Sequence, residues 1–304
     1  MTAARTNRRR LGSRLAPYAL ILPGWLWLVI FFVVPAVSML SVSTMTGNDL
    51  DGFKQTFHFG TYSQAWHDFH TQIVRSLLYG LIATAICVLI AYPVAYWIAF
   101  RGGKYKSSLL FLLLLPFFVS FVIRTQSWEF MLEDDGMVLR ALRDLHLVGF
   151  MQDIGLVSDS GQILQTQVAV VGGLVYNFLP FAVLPIYVAL ERVEPALLEA
   201  AADLYASKPA AIRKVVLPLS LPGVFAAVLL TFVPASSDYV NSTILGGTNT
   251  TMIGNIIQTQ YFTNLDYPTA ASLSFILMGI LLVGIFLYAR ALGTEDALAM
   301  AAAR

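Results

Sequence analysis

Three short constellations in the sequence invite a chemical reading. Gly102-Gly103-Lys104 has the composition of a phosphate loop, His67-Asp68-His70 offers metal ligands, and Arg124, Glu129 and Asp238 are charges beside apolar runs. The first lacks both the spacing and the hydroxyl residue of G-x-x-x-x-G-K-[ST], so the chain is not expected to hydrolyse ATP by itself. The second has no further ligand cluster among the remaining histidines, His58 and His146, and no metal or cofactor is expected on this chain. No G-x-S-x-G, H-E-x-x-H or C-x-x-C is present, and no catalytic residue is expected. The third group is different. Charges at membrane depth are costly to hold and are kept where they act. Arg124, Glu129 and Asp238, with Trp128, Tyr176, Asn177 and Tyr239 as aromatic and amide neighbours, are therefore the candidates for a solute pathway. Each also has a plainer reading. Glu129 reaches outer water, Arg124 pairs with Glu129 or Asp238, Tyr176 packs between helices, and Asn177 hydrogen-bonds across them.

The surroundings of these residues are overwhelmingly apolar. Hydrophobic residues make up 57% of 304 and charged residues 12%, while mean hydropathy is +0.70. An ordinary soluble domain is excluded by that balance. A formal charge of +1 gives no field for nucleic acid, and the single Cys87 allows no internal disulfide. The composition predicts an all-α membrane protein with six spans, near Tyr18–Leu40, Ile73–Phe100, Leu109–Ser127, Thr166–Leu190, Leu219–Val240 and Pro268–Ala289. Each is long enough for roughly 30 Å of hydrocarbon. The first is not read as a cleavable signal, because its apolar run is too long and no small-residue cleavage pattern follows.

Basic residues set the orientation. Arg5, Arg8, Arg9, Arg10 and Arg14 lie in the N-tail, Arg101, Lys104 and Lys106 after span two, and Arg192, Lys208, Arg213 and Lys214 after span four. The opposite face is rich in Asp and Glu. Both termini are expected in the cytoplasm, with residues 1–17 a basic tail held by lipid headgroups, 18–290 the six-span domain and 291–304 a C-tail. On the outer side Ala141–Leu147 is predicted as a short interfacial helix, and Asp153–Gly161 as a turn. Asn241-Ser-Thr and Asn249-Thr-Thr match a glycan-acceptor pattern, as chance allows at this length.

The cytoplasmic loop Glu191–Pro218 stands apart. Pro195 suits a first helical turn, and the Ala- and Leu-rich run behind it favours helix. Leu197, Ala200, Ala201 and Leu204 share a face. Ser207 is expected to cap a second short helix with Pro209 in its first turn, and Pro218 to break the run before span five. The acidic Glu194, Glu199 and Asp203 would repel anionic headgroups, so this small-residue surface suits a protein better than lipid.

Glu199-Ala200-Ala201, with Val215-Val216-Leu217-Pro218 and Pro222-Gly223 beyond it, resembles the EAA loop of binding-protein-dependent ABC importer permeases. Further segments resemble the spermidine/putrescine permeases of the PotB/PotH-like type. These are Pro116-Phe117 with Arg124-Thr125 and Trp128, Tyr176-Asn177-Phe178-Leu179-Pro180-Phe181, Phe232-Val233-Pro234 with Asp238-Tyr239, Leu245-Gly246-Gly247, and Met252 through Ile257. The resemblance implies a translocation subunit without chemistry of its own. Its implied partners are a homologous second permease, two ATPase subunits carrying ATP and Mg, and an extracytoplasmic solute-binding protein. It implies coupling to the ATPases through Glu199, Ala200, Ala201, Leu204, Tyr205, Lys208 and Pro218, and a polyamine as solute. Another small organic solute (an amino-phosphonate or a sugar-like compound) is the alternative, and a stand-alone channel the reading from a different class. Tyr205 departs from the pattern, since the family has glycine there. Either the turn is made differently, or tyrosine adds an aromatic contact to the ATPase.

Overall fold

The structure is a computed structural model and describes residues 20–48, 50–146, 148–153, 157–158 and 161–302. The basic tail Met1–Arg14 lies outside them, as does most of the Asp153–Gly161 turn, of which Gly161 at φ 81° is described. Among the described residues, five helices are long and apolar enough to cross a membrane, and a helix pair bent by 90° passes the same test only when its two halves are taken together. The chain forms two compact units, one built from the chain up to Trp66 plus Gln260–Ile276, the other from His67–Thr259 plus the chain from Leu277.

The first unit begins with helix α1, Leu20–Val42, apolar all round and without one buried residue. A membrane helix of that kind shows its whole surface to lipid or to another subunit. Strands β1 (Met45–Asn48) and β2 (Gly52–Gln55) follow as an antiparallel hairpin pairing Met45 with Gln55. Asn48 Oδ1 closes its turn by accepting from the Leu50 and Asp51 amides. Ser43 is fully buried; its hydroxyl bonds that of Tyr62 at 2.7 Å, and its carbonyl accepts from Ser272 Oγ at 3.1 Å.

The long helix α2, Gly60–Arg101, starts well before the predicted span two. At 1.5 Å per residue it is about 63 Å long, twice the hydrocarbon thickness. The added turns carry Gln64, His67, Asp68 and His70, which belong outside the apolar layer. Helix α3, Lys106–Leu114, ends in a tight turn at Leu115–Phe118, and α4 runs Phe121–Leu132. Predicted span three is thus not continuous: its two halves meet at 90°. Pro116 removes an amide from the ladder, and Val119 at φ −94°, ψ 140° is extended.

The interfacial helix also differs from expectation. Helix α5 is Met137–Asp144, set back from Ala141–Leu147 so that Leu139 is fully buried. Leu145 caps it and is exposed, His146 turns left-handed at φ 55°, and Val148 opens the next helix, α6, Val148–Asp153.

Helices α7 (Gln167–Glu191) and α9 (Lys208–Ser237) form the centre of the second unit, joined through α8, Pro195–Asp203. A Cβ on Gly223 would lie 2.6 Å from the Pro185 carbonyl oxygen and against Ala189 Cβ, so glycine is what permits this approach. Pro218 does not break the run. The π turn Ile212–Val216 just before it widens the helix around the Lys214 carbonyl, the one its ring would strike, and the helix continues. Val29–Val33 does the same for Pro35 in α1. After α9 come α10 (Val240–Leu245), α11 (Ile253–Phe262) and α12 (Tyr267–Ala302).

Candidate functional site

The loop after α7 folds as a helix–turn–helix. Pro195 sits in the first turn of α8, and the helix closes by a Schellman motif: the Ala206 amide donates to Ala201 O at 3.0 Å, the Tyr205 amide to Ala202 O at 2.9 Å. That motif needs a left-handed residue, and Tyr205 adopts it at φ 59°. Tyrosine thus takes a left-handed conformation that glycine would hold without steric cost. Its ring is 98% exposed, beside Leu204 at 82%. Glu199, Ala200 and Lys208 are exposed around it.

Two expectations fail here. Ala201, grouped with the docking surface, is buried at 8% exposure together with Ala211 and Val216. It anchors the loop instead of being offered outward, because the inner line of α8 runs through Leu198 and Ala201 while Leu197, Ala200 and Leu204 face out. Ser207 occupies the N-cap position before Lys208, but its side chain makes no capping bond.

The start of the loop is tied back. Glu191, last in α7, accepts from Tyr187 OH at 2.6 Å and pairs with Lys106 Nζ at 3.5 Å. The sequence reading missed this triad. Tyr187 and Glu191 stand one helical turn apart, which was visible, but Lys106 arrives from another element.

Deeper in the same unit lies a buried polar layer. Asn177 on α7 is fully buried and gives both hydrogens of its amide, to Thr125 Oγ1 on α4 at 3.1 Å and to Asn241 Oδ1 on α10 at 2.9 Å. Asn241 in turn donates to Asp238 Oδ1 from its backbone at 2.8 Å and its side chain at 3.1 Å. Asp238, 9% exposed, thus orders the first turn of α10 where the chain leaves α9. Its other oxygen, Oδ2, is outside these bonds and is not sealed. Gly173 allows α10 this close to α7, for a Cβ there would meet Asn241 Oδ1 at 2.7 Å. A neighbouring set of bonds locks the following loop to α2: Ser76 Oγ accepts from the Ile253 amide at 2.7 Å, and Arg75 Nη1 donates to Thr251 O at 3.0 Å.

Arg124 is 7% exposed and pairs with neither Glu129 nor Asp238, contrary to the structural pairing weighed for it. Lys106 and Glu191, on other elements, form an ion pair that does not involve Arg124. Instead its guanidinium carbon stands 5.0 Å from the ring of Phe117, 5.6 Å from Phe121 and 6.0 Å from Tyr176. Trp128 meets the same Tyr176 edge-on at 5.4 Å. Tyr176 and Tyr239 are exposed, and Glu129 is half-buried. The structure thus gathers Arg124, Trp128 and Tyr176 in one cluster and Asn177 with Asp238 in another. Thr125 and Asn241 were missed. Asn241 stood out only as a chance glycan pattern, although an Asp three residues before an Asn amide is a capping signal.

The sequence signature of the binding-protein-dependent transport system inner membrane component matches residues 91–292. The spermidine/putrescine transport system permease protein PotB of Haemophilus influenzae is 34% identical over 87% of this chain and 90% of its own length. PotB of Escherichia coli is 33% identical over 84% and 92%. Among solved structures, a bacterial ABC transporter that imports the acidic polysaccharide alginate has a subunit with the same fold. It superposes at a TM-score of 0.66 with 16% identity, covering 94% of this chain and 98% of that one. A match over most of the sequence, joined to relatives one-third identical across nearly all of it, places this multi-pass protein of the inner (plasma) membrane in the family of binding-protein-dependent ABC importer permeases, as a non-catalytic subunit working with a solute-binding protein and an ATPase.

Proposed function

We propose that the chain is a translocation subunit of a polyamine importer, moving spermidine- or putrescine-like solutes. It pairs with a homologous second permease above two ATPase subunits and receives solute from the extracytoplasmic receptor. Both termini and the Arg101–Lys106 and Glu191–Pro218 loops face the cytoplasm, with residues 1–17 and 291–304 as tails of the 18–290 domain. Closure of the ATPases is transmitted through the Glu199 loop. The observation that carries this reading is the solvent-facing tip of that loop, with Glu199, Ala200, Leu204, Tyr205 and Lys208 all exposed on a helix–turn–helix whose base is buried. Apolar side chains so presented suit a protein groove. The polyamine assignment is supported by the likeness to PotB proteins and by Asp238, which keeps Oδ2 uncommitted near the exposed Tyr239. Ammonium groups take carboxylates and aromatic faces as partners, and Trp128, Tyr176, Asn177 and Glu129 complete the proposed route.

The test is ATP-driven spermidine uptake into proteoliposomes containing the full complex. Asp238→Asn retains the acceptor for Asn241 and removes only charge. Uptake is expected to fall by roughly 5- to 150-fold, the worth of one partly hydrated charge contact. Unchanged uptake in an assembled variant removes Asp238 from the route. A wild-type complex whose receptor ignores polyamines overturns the solute. For orientation, a cysteine placed at Lys208 in a Cys87→Ser background is expected to resist labelling from outside; ready labelling there reverses the topology.

A further inference from the structure

Arg124 and Trp128 stand one helical turn apart on α4, on the face that meets Tyr176. Both hold a sealed N–H with no acceptor: Nε of Arg124 and Nε1 of Trp128. The aromatic rings around the guanidinium soften its burial but do not neutralise it or take its hydrogens. A buried charge lacking a partner is among the most unfavourable arrangements a fold can hold. The sealed acceptor in the adjoining layer, Asn177 Oδ1, is bonded to neither donor and carries no charge. Arg124's terminal nitrogens, by contrast, are not sealed, so the group is approachable from outside the chain.

We infer that Arg124, through its unsealed terminal nitrogens and with Trp128 packed beside it, is this chain's half of an oxyanion subsite, completed by a carboxylate- or phosphate-type group brought from outside. A guanidinium supplies donors only, which is what such a group needs and what an ammonium group cannot use. A polyamine therefore does not fill the subsite. Its occupant is either an Asp or Glu side chain of the second permease or an anionic group on the solute. The inference rests on the reading of the chain as a translocation subunit, and not on the choice of solute.

The experiment uses the full complex in lipid nanodiscs, with wild type, Arg124→Gln, Arg124→Lys and Trp128→Phe compared after insertion is verified. One arm titrates tryptophan fluorescence with acetate and with inorganic phosphate at constant ionic strength, the Trp128→Phe complex isolating the signal of Trp128. A saturable response in wild type that Arg124→Gln abolishes assigns the subsite to a solute anion and contradicts polyamine as the sole solute. The other arm measures dissociation of the permease pair. For a partner carboxylate, Arg124→Gln is expected to speed dissociation by about 30-fold or more, with Arg124→Lys recovering part. Neutralising one membrane-embedded carboxylate of the second permease then gives the same loss, with no further loss in the double variant. Should Arg124→Gln fail to insert, Arg124→Lys carries the test, since it keeps the charge and loses the paired guanidinium donors, and its dissociation is expected to be faster than wild type. No anion response together with wild-type or strictly additive dissociation overturns the inference, and the importer reading survives that outcome through its own uptake assay.

Discussion

The loop at Pro195–Ala211 and the layer around Asn177 are opposite solutions to placing polar groups in an apolar chain. In the loop, nearly every side chain of interest is exposed, and the turn is held by backbone bonds between residues five or fewer positions apart. In the layer, Thr125, Asn177 and Asn241 are fully buried, and they meet across 52 and 64 positions of sequence. Loss of a side chain from the loop leaves solvent in its place. Loss of one from the layer leaves an unpaired polar group in a medium that cannot solvate it. Stability should therefore reside in the layer and its close helix contacts, and coupling in the loop.

The strongest break of that contrast is Gly223→Val. The added carbons meet the Pro185 carbonyl and Ala189, forcing α7 and α9 apart. Overpacking of this kind costs about 1–3 kcal/mol or more, and the thermal midpoint of the purified complex is expected to drop by several degrees. An unchanged midpoint contradicts the packing. Asn241→Ala comes next. It strips Asp238 Oδ1 of its side-chain donor, leaving the backbone one, and Asn177 of an acceptor, for a loss on the order of 1–2 kcal/mol given the modest worth of hydrogen bonds within membranes. Wild-type stability in this variant would mean the layer holds nothing together.

What was legible in the sequence follows the same division. Pro195, the Ala-rich run and the Glu199 motif are local signals, and the helix–turn–helix came out where they placed it. The apolar runs likewise marked the five long helices and the bent pair. The 90° bend in the third was not read, because Pro116 alone does not distinguish a kink from a tolerated proline; α2, α7 and α9 all carry prolines in continuous helix. The π turns before Pro35 and Pro218 show how a helix absorbs one, and no residue type announces them. The side to which Ala201 turns depended on helix phase against a neighbour. The bonds of Asn177 to Thr125 and Asn241 depended on three elements converging, so a single line of sequence offered only a polar residue in a greasy span.

Tyr205→Gly sharpens the comparison with a smaller effect of opposite sign. Relief of a left-handed tyrosine is expected to stabilise the fold by about 1 kcal/mol, read as a small rise in thermal midpoint. Transport is expected to fall in the same variant, since the exposed ring is lost from the proposed docking tip. A rise in stability with full transport would leave Tyr205 as a tolerated substitution and nothing more.

The most direct test of the account is Glu199→Arg, measured as receptor-stimulated ATP hydrolysis in the reconstituted complex. Glu199 is exposed and makes no side-chain bond among the described residues, so reversing its charge should move stability by no more than about 0.5 kcal/mol. The account predicts normal insertion, an unchanged thermal midpoint and loss of receptor stimulation, because the partner ATPase meets the wrong charge at the loop. Wild-type stimulation in a fully assembled Glu199→Arg complex would contradict it.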